Sequence, residues 1–276
     1  MTTTRLSRRA LEALREELSD RDLAVLESVA AHRFLTTRHI ERLHFSEHAT
    51  PLAAARSCRR TLMRLHELHV LHRLARRVGG VRAGSASYVW SVGVAGDGLL
   101  RIERGLAPRR HQDEPSLTFL RHTLAVADAH LALVEADRRN AFELIEVQTE
   151  PASWRGFTST AGTEETLRPD LYAVTASGDY EDHWFIEVDC GTESLPVLLR
   201  KCGIYESYRR SGLAQAQLGT FPLVIWQLPN DERVRRLATA LTEAADRFDA
   251  ALYRLATPEQ LAGAVAAPHH YVIERR

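Results

Sequence analysis

Apolar residues recur at helical spacing three times before residue 70, each time after a capping residue. Leu23, Leu26, Val29 and Ala30 follow Ser19, with Asp20 and Asp22 in the first turn, where the helix dipole favours acids. Ile40 and Leu43 follow Thr36 and Thr37. Pro51 suits the first position of a longer helix, about 52–68, that buries Ala55, Leu62, Leu65 and Leu68. A charged helix over 5–18 precedes them. After this region come His69-Val70-Leu71 and Ser87–Val92, two β-prone stretches flanking a glycine-bearing segment with Gly79, Gly80 and Gly84. Three helices followed by a hairpin predict a winged helix-turn-helix.

Residues 98–116 are polar and poorly periodic, so they read as a connector. The chain therefore divides into a domain over 1–100, a linker over 101–115 and a second domain over 116–276. The second domain alternates helix and strand. A long helix spans 116–139, with Leu120, Leu124, Ala127, Leu131 and Val134 on one face. Strands follow at 142–150, 171–174 and 183–189, the first two separated by a Gly/Ser/Thr-rich loop over 154–166. A helix over 196–210, a strand over 221–227 and a helix over 231–256 complete the order α-β-β-β-α-β-α. Trp90, Trp184 and Trp226 fall in strand patterns and belong to the core.

Composition narrows the class. Hydrophobic residues make up 45% and charged residues 26%, which excludes bulk disorder. No run of residues approaches the length of apolar chain that spans a bilayer, and the first fifteen residues lack the apolar core of a secretion signal. Three cysteines without CxxC spacing read as reduced thiols, so a cytoplasmic location is expected, with no membrane partner.

The formal charge of zero hides an asymmetry. Residues 1–100 hold sixteen arginines against ten acidic residues, a net of +6, which leaves −6 for the remainder. On the third helix Arg56, Arg60 and Arg64 are four apart, opposite the leucines, with Arg59 beside them. Arg73, Arg76, Arg77 and Arg82 follow in the hairpin. A recognition helix in the major groove with a basic wing on the phosphates needs this distribution, so double-stranded DNA is the expected partner.

The second domain carries an acidic constellation. With a turn centred between Gly178 and Asp179, hairpin pairing sets Asp170 opposite Glu187, and Glu187 shares a face with Asp189. Like charges at the end of an apolar sheet need compensation, and a hard cation such as Mg²⁺ or Mn²⁺ supplies it. The next helix carries Lys201, the single lysine among 36 basic residues, on one face with Tyr205 and Tyr208. A lysine kept in so arginine-biased a chain points to a role that a planar guanidinium does not fill. The two tyrosines read as packing aromatics rather than nucleophiles, and His122 as a core histidine. His269-His270 lacks the His-apolar-His spacing of tyrosine relaxases.

Pro169-Asp170, Glu187-Val188-Asp189 and Lys201 on the following helix resemble the PD-(D/E)xK nuclease superfamily, whose core has the same α-β-β-β-α-β order. More narrowly, "FIEVDCGTES", "RKCGIYESY" and the N-terminal helices together resemble the replication-relaxation family. The resemblance implies an α/β protein with a restriction-endonuclease-like core and a role in plasmid or mobile-element DNA metabolism. It implies metal held by Asp170 and Glu187 with Asp189 assisting, and Lys201 orienting or activating the attacking water and stabilising the charged transition state. Glu150 is a weaker ligand candidate. The superfamily pattern expects lysine where this chain has Asp189, so Lys201 would supply the amine from the helix. The leading expectation is Mg²⁺-dependent nicking or cleavage of DNA. The alternatives are a non-catalytic DNA-binding initiator or regulator, whose degenerate nuclease core mediates homodimerisation, and a regulator that senses a small ligand in an apolar pocket.

Overall fold

The computed structural model describes residues 7–78, 87–104, 115–178 and 180–267. They form two compact units, Met1–Leu131 and Ala132–Arg276.

The first unit opens with α1 (Arg8–Glu17) and α2 (Asp20–His32). Ser19 caps α2 in a reciprocal box: its hydroxyl accepts the Asp22 amide, and the Asp22 carboxylate accepts the Ser19 amide. The two-residue β1 (Leu35–Thr36) leads into α3 (Thr37–His44), which Thr36 caps in the same way with His39. Thr50 caps α4 (Pro51–Glu67), and Pro51 sits in its first turn. Strands β2 (Leu71–Val78) and β3 (Ser87–Val92) pair antiparallel, and β1 joins the outer edge of β3. Leu11, Val25, Leu26, Leu35, Ile40, Leu62, Leu65, Leu71 and Trp90 make one core from all of these elements.

The segment read as a connector begins as helix. α5 (Val94–Arg104) buries Ala95, Leu99 and Leu100 in the same core. Its start presses on the backbone after α4. A Cβ at Gly93 or Gly96 would come within 2.2 Å of the His69 or Val70 carbonyl oxygen. Only glycine allows that approach.

Next is α6 (Leu117–Arg138), the one described helix long and apolar enough to cross a membrane. Its apolar face is used for packing. Leu120 and Leu124 cluster with Phe34, Leu74 and Val89, and Ala127 enters the main core of the first unit. Polar contacts fix the same stretch. His130 Nδ1 lies 2.8 Å from His32 Nε2, and Asp128 lies 3.0 Å from His39 Nε2.

The second unit is built on β4 (Glu143–Thr149), the hairpin β5 (Arg155–Thr158) and β6 (Glu164–Leu167), then β7 (Leu171–Ser177) and β8 (Tyr180–Val188). Helices α7 (Leu195–Ser211) and α8 (Leu213–Leu218) lead to β9 (Leu223–Gln227). α9 (Asp231–Glu243), β10 (Tyr253–Ala256) and α10 (Leu261–Ala266) follow. The main sheet runs β10-β9-β8-β7-β4; β8, β9 and β10 are parallel and the rest antiparallel. Phe185, Leu198, Tyr205, Tyr208, Trp226 and Leu237 join the sheet to α7 and α9 in one core.

Two segments of the second unit differ from what their sequence predicts. The loop over 154–166 contains most of the β5–β6 hairpin, whose four-residue strands carry only Phe157 and Leu167 as buried anchors, too few for a periodic signal. The helix expected over 231–256 ends at Glu243, because Tyr253–Ala256 pairs with β9 and extends the sheet. That pairing overrides local helix propensity. His269 and His270 lie outside the described residues.

Burial pushes His32 down to about 3 and His130 down to about 4, so both are neutral in the folded unit. A histidine whose folded value lies below its unfolded 6.5 contributes stability above 6.5 that is lost as the pH falls toward the folded value. The first unit is therefore expected to weaken between about pH 6.5 and pH 4 by thermal denaturation. Replacing both histidines with leucine should flatten that dependence; an unchanged pH profile would refute the assignment.

Candidate active site

The β7–β8 register places the acids. Ser177 pairs with Tyr180 across the Gly178 turn, and the ladder runs to Leu171 opposite Ile186, so Asp170 stands one step further, opposite Glu187. Side chains alternate, and Tyr172, Phe185 and Glu187 share the face covered by α7. Asp170 and Glu187 are both buried, at 6% and 2% exposure. Asp170 Oδ2 accepts the Val188 amide at 2.7 Å, which ties the first acid to the backbone of the strand that carries the second.

Helix α7 supplies the partners of Glu187. Lys201 and Tyr205, one turn apart, reach it together. The Tyr205 hydroxyl donates to Glu187 Oε1 at 2.7 Å, and Lys201 Nζ stands 3.5 Å from Oε2. The same ammonium is 3.3 Å from Glu193 Oε2 and lies over the Trp226 ring at 5.8 Å.

Burial and the neighbouring Asp170 charge push Glu187 up to about 8, against the pull of Lys201 and Tyr205. Burial disfavours the charge on Lys201, but Glu187, Asp170 and Glu193 outweigh it and hold the ammonium above the ordinary lysine value. Lys201 is thus a fixed cation at neutral pH and not a proton acceptor.

Asp189 has different partners. Its carboxylate is fully enclosed, with Oδ2 accepting from Arg233 Nε at 2.6 Å and Oδ1 from the Gly191 amide at 2.8 Å. Among the described residues, no group of three His, Cys, Asp or Glu side chains is placed to hold one metal ion. Of the acids expected to act together, Asp170 and Glu187 converge with Lys201, while Asp189 is spent on α9. Glu150 is half-buried and accepts from Trp154 Nε1 at 3.2 Å.

The arginines of the first unit separate similarly. Arg56, Arg59 and Arg60 are exposed on α4. Arg64, 44% exposed, is engaged by another helix, its Nη2 donating to both oxygens of the buried Asp22 at 2.6 Å. Arg73 stacks over Tyr88 at 4.6 Å. The side chains of Arg76 and Arg77, on β2, and all of Arg82 lie outside the described residues.

Two participants were not singled out from the sequence. Glu193 lies in the short β8–α7 loop, within the "FIEVDCGTES" run that carries Glu187 and Asp189. Arg233 is 44 residues from its partner Asp189 and carries no sequence signal.

A mixed α/β chain with a carboxylate pair and an ammonium at one end of a sheet is the class that fold and site define. The replication-relaxation family model matches residues 26–224, and the chain belongs to that family. Neither the curated proteins nor the solved structures contain a match to it.

A glutamate raised from 4.5 to about 8 makes the folded chain bind a proton that the unfolded chain has lost, so stability falls as pH rises through that window and levels off above it. Glu187→Gln should remove this slope. Its melting temperature relative to wild type is expected to rise steadily from pH 5 to pH 8; a constant difference would show that Glu187 is not strained by its ionisation.

Proposed function

We propose that the chain is a metal-dependent DNA nuclease that nicks or cleaves double-stranded DNA in the replication or relaxation of plasmids or mobile elements. In this reading the first unit is a winged helix that delivers the DNA, and the second is a PD-(D/E)xK-like core. The observation that carries the proposal is the Lys201 ammonium, 3.5 Å from Glu187 at the buried Asp170–Glu187 pair.

The two acids fit a hard divalent ion. Mg²⁺ commonly takes one or two carboxylates and fills its remaining positions with water and phosphate oxygens, so a pair suffices without Asp189. Burial and the Asp170 charge hold Glu187 above its ordinary value, and a bound cation would offset both. When bound, such an ion supplies charge to polarise a phosphodiester and to acidify water. The chain's own groups do the rest. Tyr205 holds one oxygen of Glu187, leaving the other toward Lys201. The permanently charged Lys201 stabilises negative charge developing on the phosphate. Membership in the replication-relaxation family supports the biological setting.

DNA delivery rests on α4. Two capped helices hold it across the core, and its outer face presents Arg56, Arg59 and Arg60. The sheet order β1-β3-β2, with β1 between α2 and α3 and the β2–β3 hairpin after α4, supports the winged-helix reading. Arg64 orders α4 against α2 through Asp22, which leaves phosphate binding to the other three.

A second reading has one observation in its favour: Asp189 occupies the position of the superfamily lysine and is locked to Arg233. In that reading the core is degenerate and the chain binds DNA without cutting it.

Supercoiled plasmid with Mg²⁺ or Mn²⁺ separates the two. Wild type should nick it, and Asp170→Ala and Lys201→Ala should lose the activity while still binding DNA. Binding without nicking by all three, in either metal, would establish the second reading. Replacing Arg56, Arg59 and Arg60 with alanine should weaken DNA binding and lower the salt slope by about 0.9 for each phosphate no longer neutralised. An unchanged slope would remove α4 from the interface.

A further inference from the structure

We infer that Arg233 acts as a clamp on the β8–α7 loop and that, with Glu193, it positions the Lys201 ammonium at Glu187. The inference rests on reading Lys201 as the functional cation.

The loop leaves β8 at Val188 and enters α7 at Leu195. One guanidinium holds it at both ends: Arg233 Nε donates to Asp189 Oδ2 at 2.6 Å, and Nη2 donates to the Glu193 carbonyl at 2.5 Å. Asp189 in turn accepts the Gly191 amide, with Gly191 at φ +78°, a conformation that favours glycine. Arg233 is itself fixed. It lies in the first turn of α9, where the Asn230 side chain accepts its amide at 2.9 Å. The planar fork suits this double contact in a way a lysine would not.

Glu193 is the residue the clamp delivers. Its main chain is held by Arg233, and its carboxylate stands 3.3 Å from Lys201 Nζ. Lys201 extends a flexible four-carbon stem, and its approach to Glu187 is long for a charged hydrogen bond. A second carboxylate on the other side of the ammonium restricts it to the region between the two acids. A buried ion pair is weak evidence for stability, because desolvation offsets much of the attraction. The Asp189–Arg233 pair is accounted for better as a device that specifies loop geometry. It also gives a use for the acid that stands in place of the superfamily lysine.

Because Lys201 is the single lysine, its amine can be followed alone by acylation with an amine-reactive ester and peptide mass spectrometry. The measurement needs neither metal nor DNA. Arg233→Gln and Glu193→Gln are each expected to raise the Lys201 acylation rate severalfold, with circular dichroism unchanged. Arg236→Gln, an exposed arginine on the same helix, should match wild type. Wild-type reactivity in a folded Arg233→Gln protein would overturn the clamp. Should that variant fail to fold, Arg233→Lys, which keeps the charge but loses the planar fork, decides in the same way. In the plasmid assay Arg233→Gln should lower kcat and leave KM for DNA unchanged, because the arginines of α4 that bind DNA stay in place. Raised acylation without nicking by the wild type would uphold the clamp and remove the nuclease reading.

Discussion

The second unit is organised around one unfavourable placement, the Glu187 carboxylate buried beside Asp170. An acid in that position must be neutralised, hydrogen-bonded or paired. The fold supplies parts of all three: a raised proton affinity, the Tyr205 hydroxyl and the Lys201 ammonium. The last two do not come from the strand itself. They come from one face of α7, which the Phe185, Tyr205 and Tyr208 cluster presses onto the sheet. Aromatic packing and polar site are therefore one construction, with Tyr205 belonging to both.

Much of this was legible because it depends on local chemistry. The caps at Ser19 and Thr36 and the first-turn Pro51 mark helix starts that the structure reproduces. The Asp170–Glu187 pairing followed from a two-residue turn and the alternation of a strand, and the register agrees. Lys201 stands out as the single lysine of an arginine-rich chain, and its amine does approach Glu187. What stayed hidden depends on residues far apart in sequence. Arg64 matched its neighbours in spacing, yet Asp22 on another helix engages its guanidinium. Asp189 alternated in phase with Glu187, but the strand ends at Val188 and Arg233 captures the carboxylate. Strand β10 exists only because β9 offers an edge to pair with.

The arginine bias of the chain takes on structural content in this light. Two arginines serve where a planar fork is needed: Arg209 donates twice to Glu206, and Arg233 bridges Asp189 and the Glu193 carbonyl. The lysine serves where a compact charge must sit between two carboxylates. That division of labour is a physical reason for one lysine to persist at this position.

The central claim is that Asp170 and Glu187 form a cation site completed by Lys201, and calorimetric titration of Mn²⁺ into the purified protein tests it most directly. The account predicts one binding event in the wild type that Asp170→Asn abolishes without loss of the fold. Absence of binding, or binding unaltered by that substitution, would contradict it.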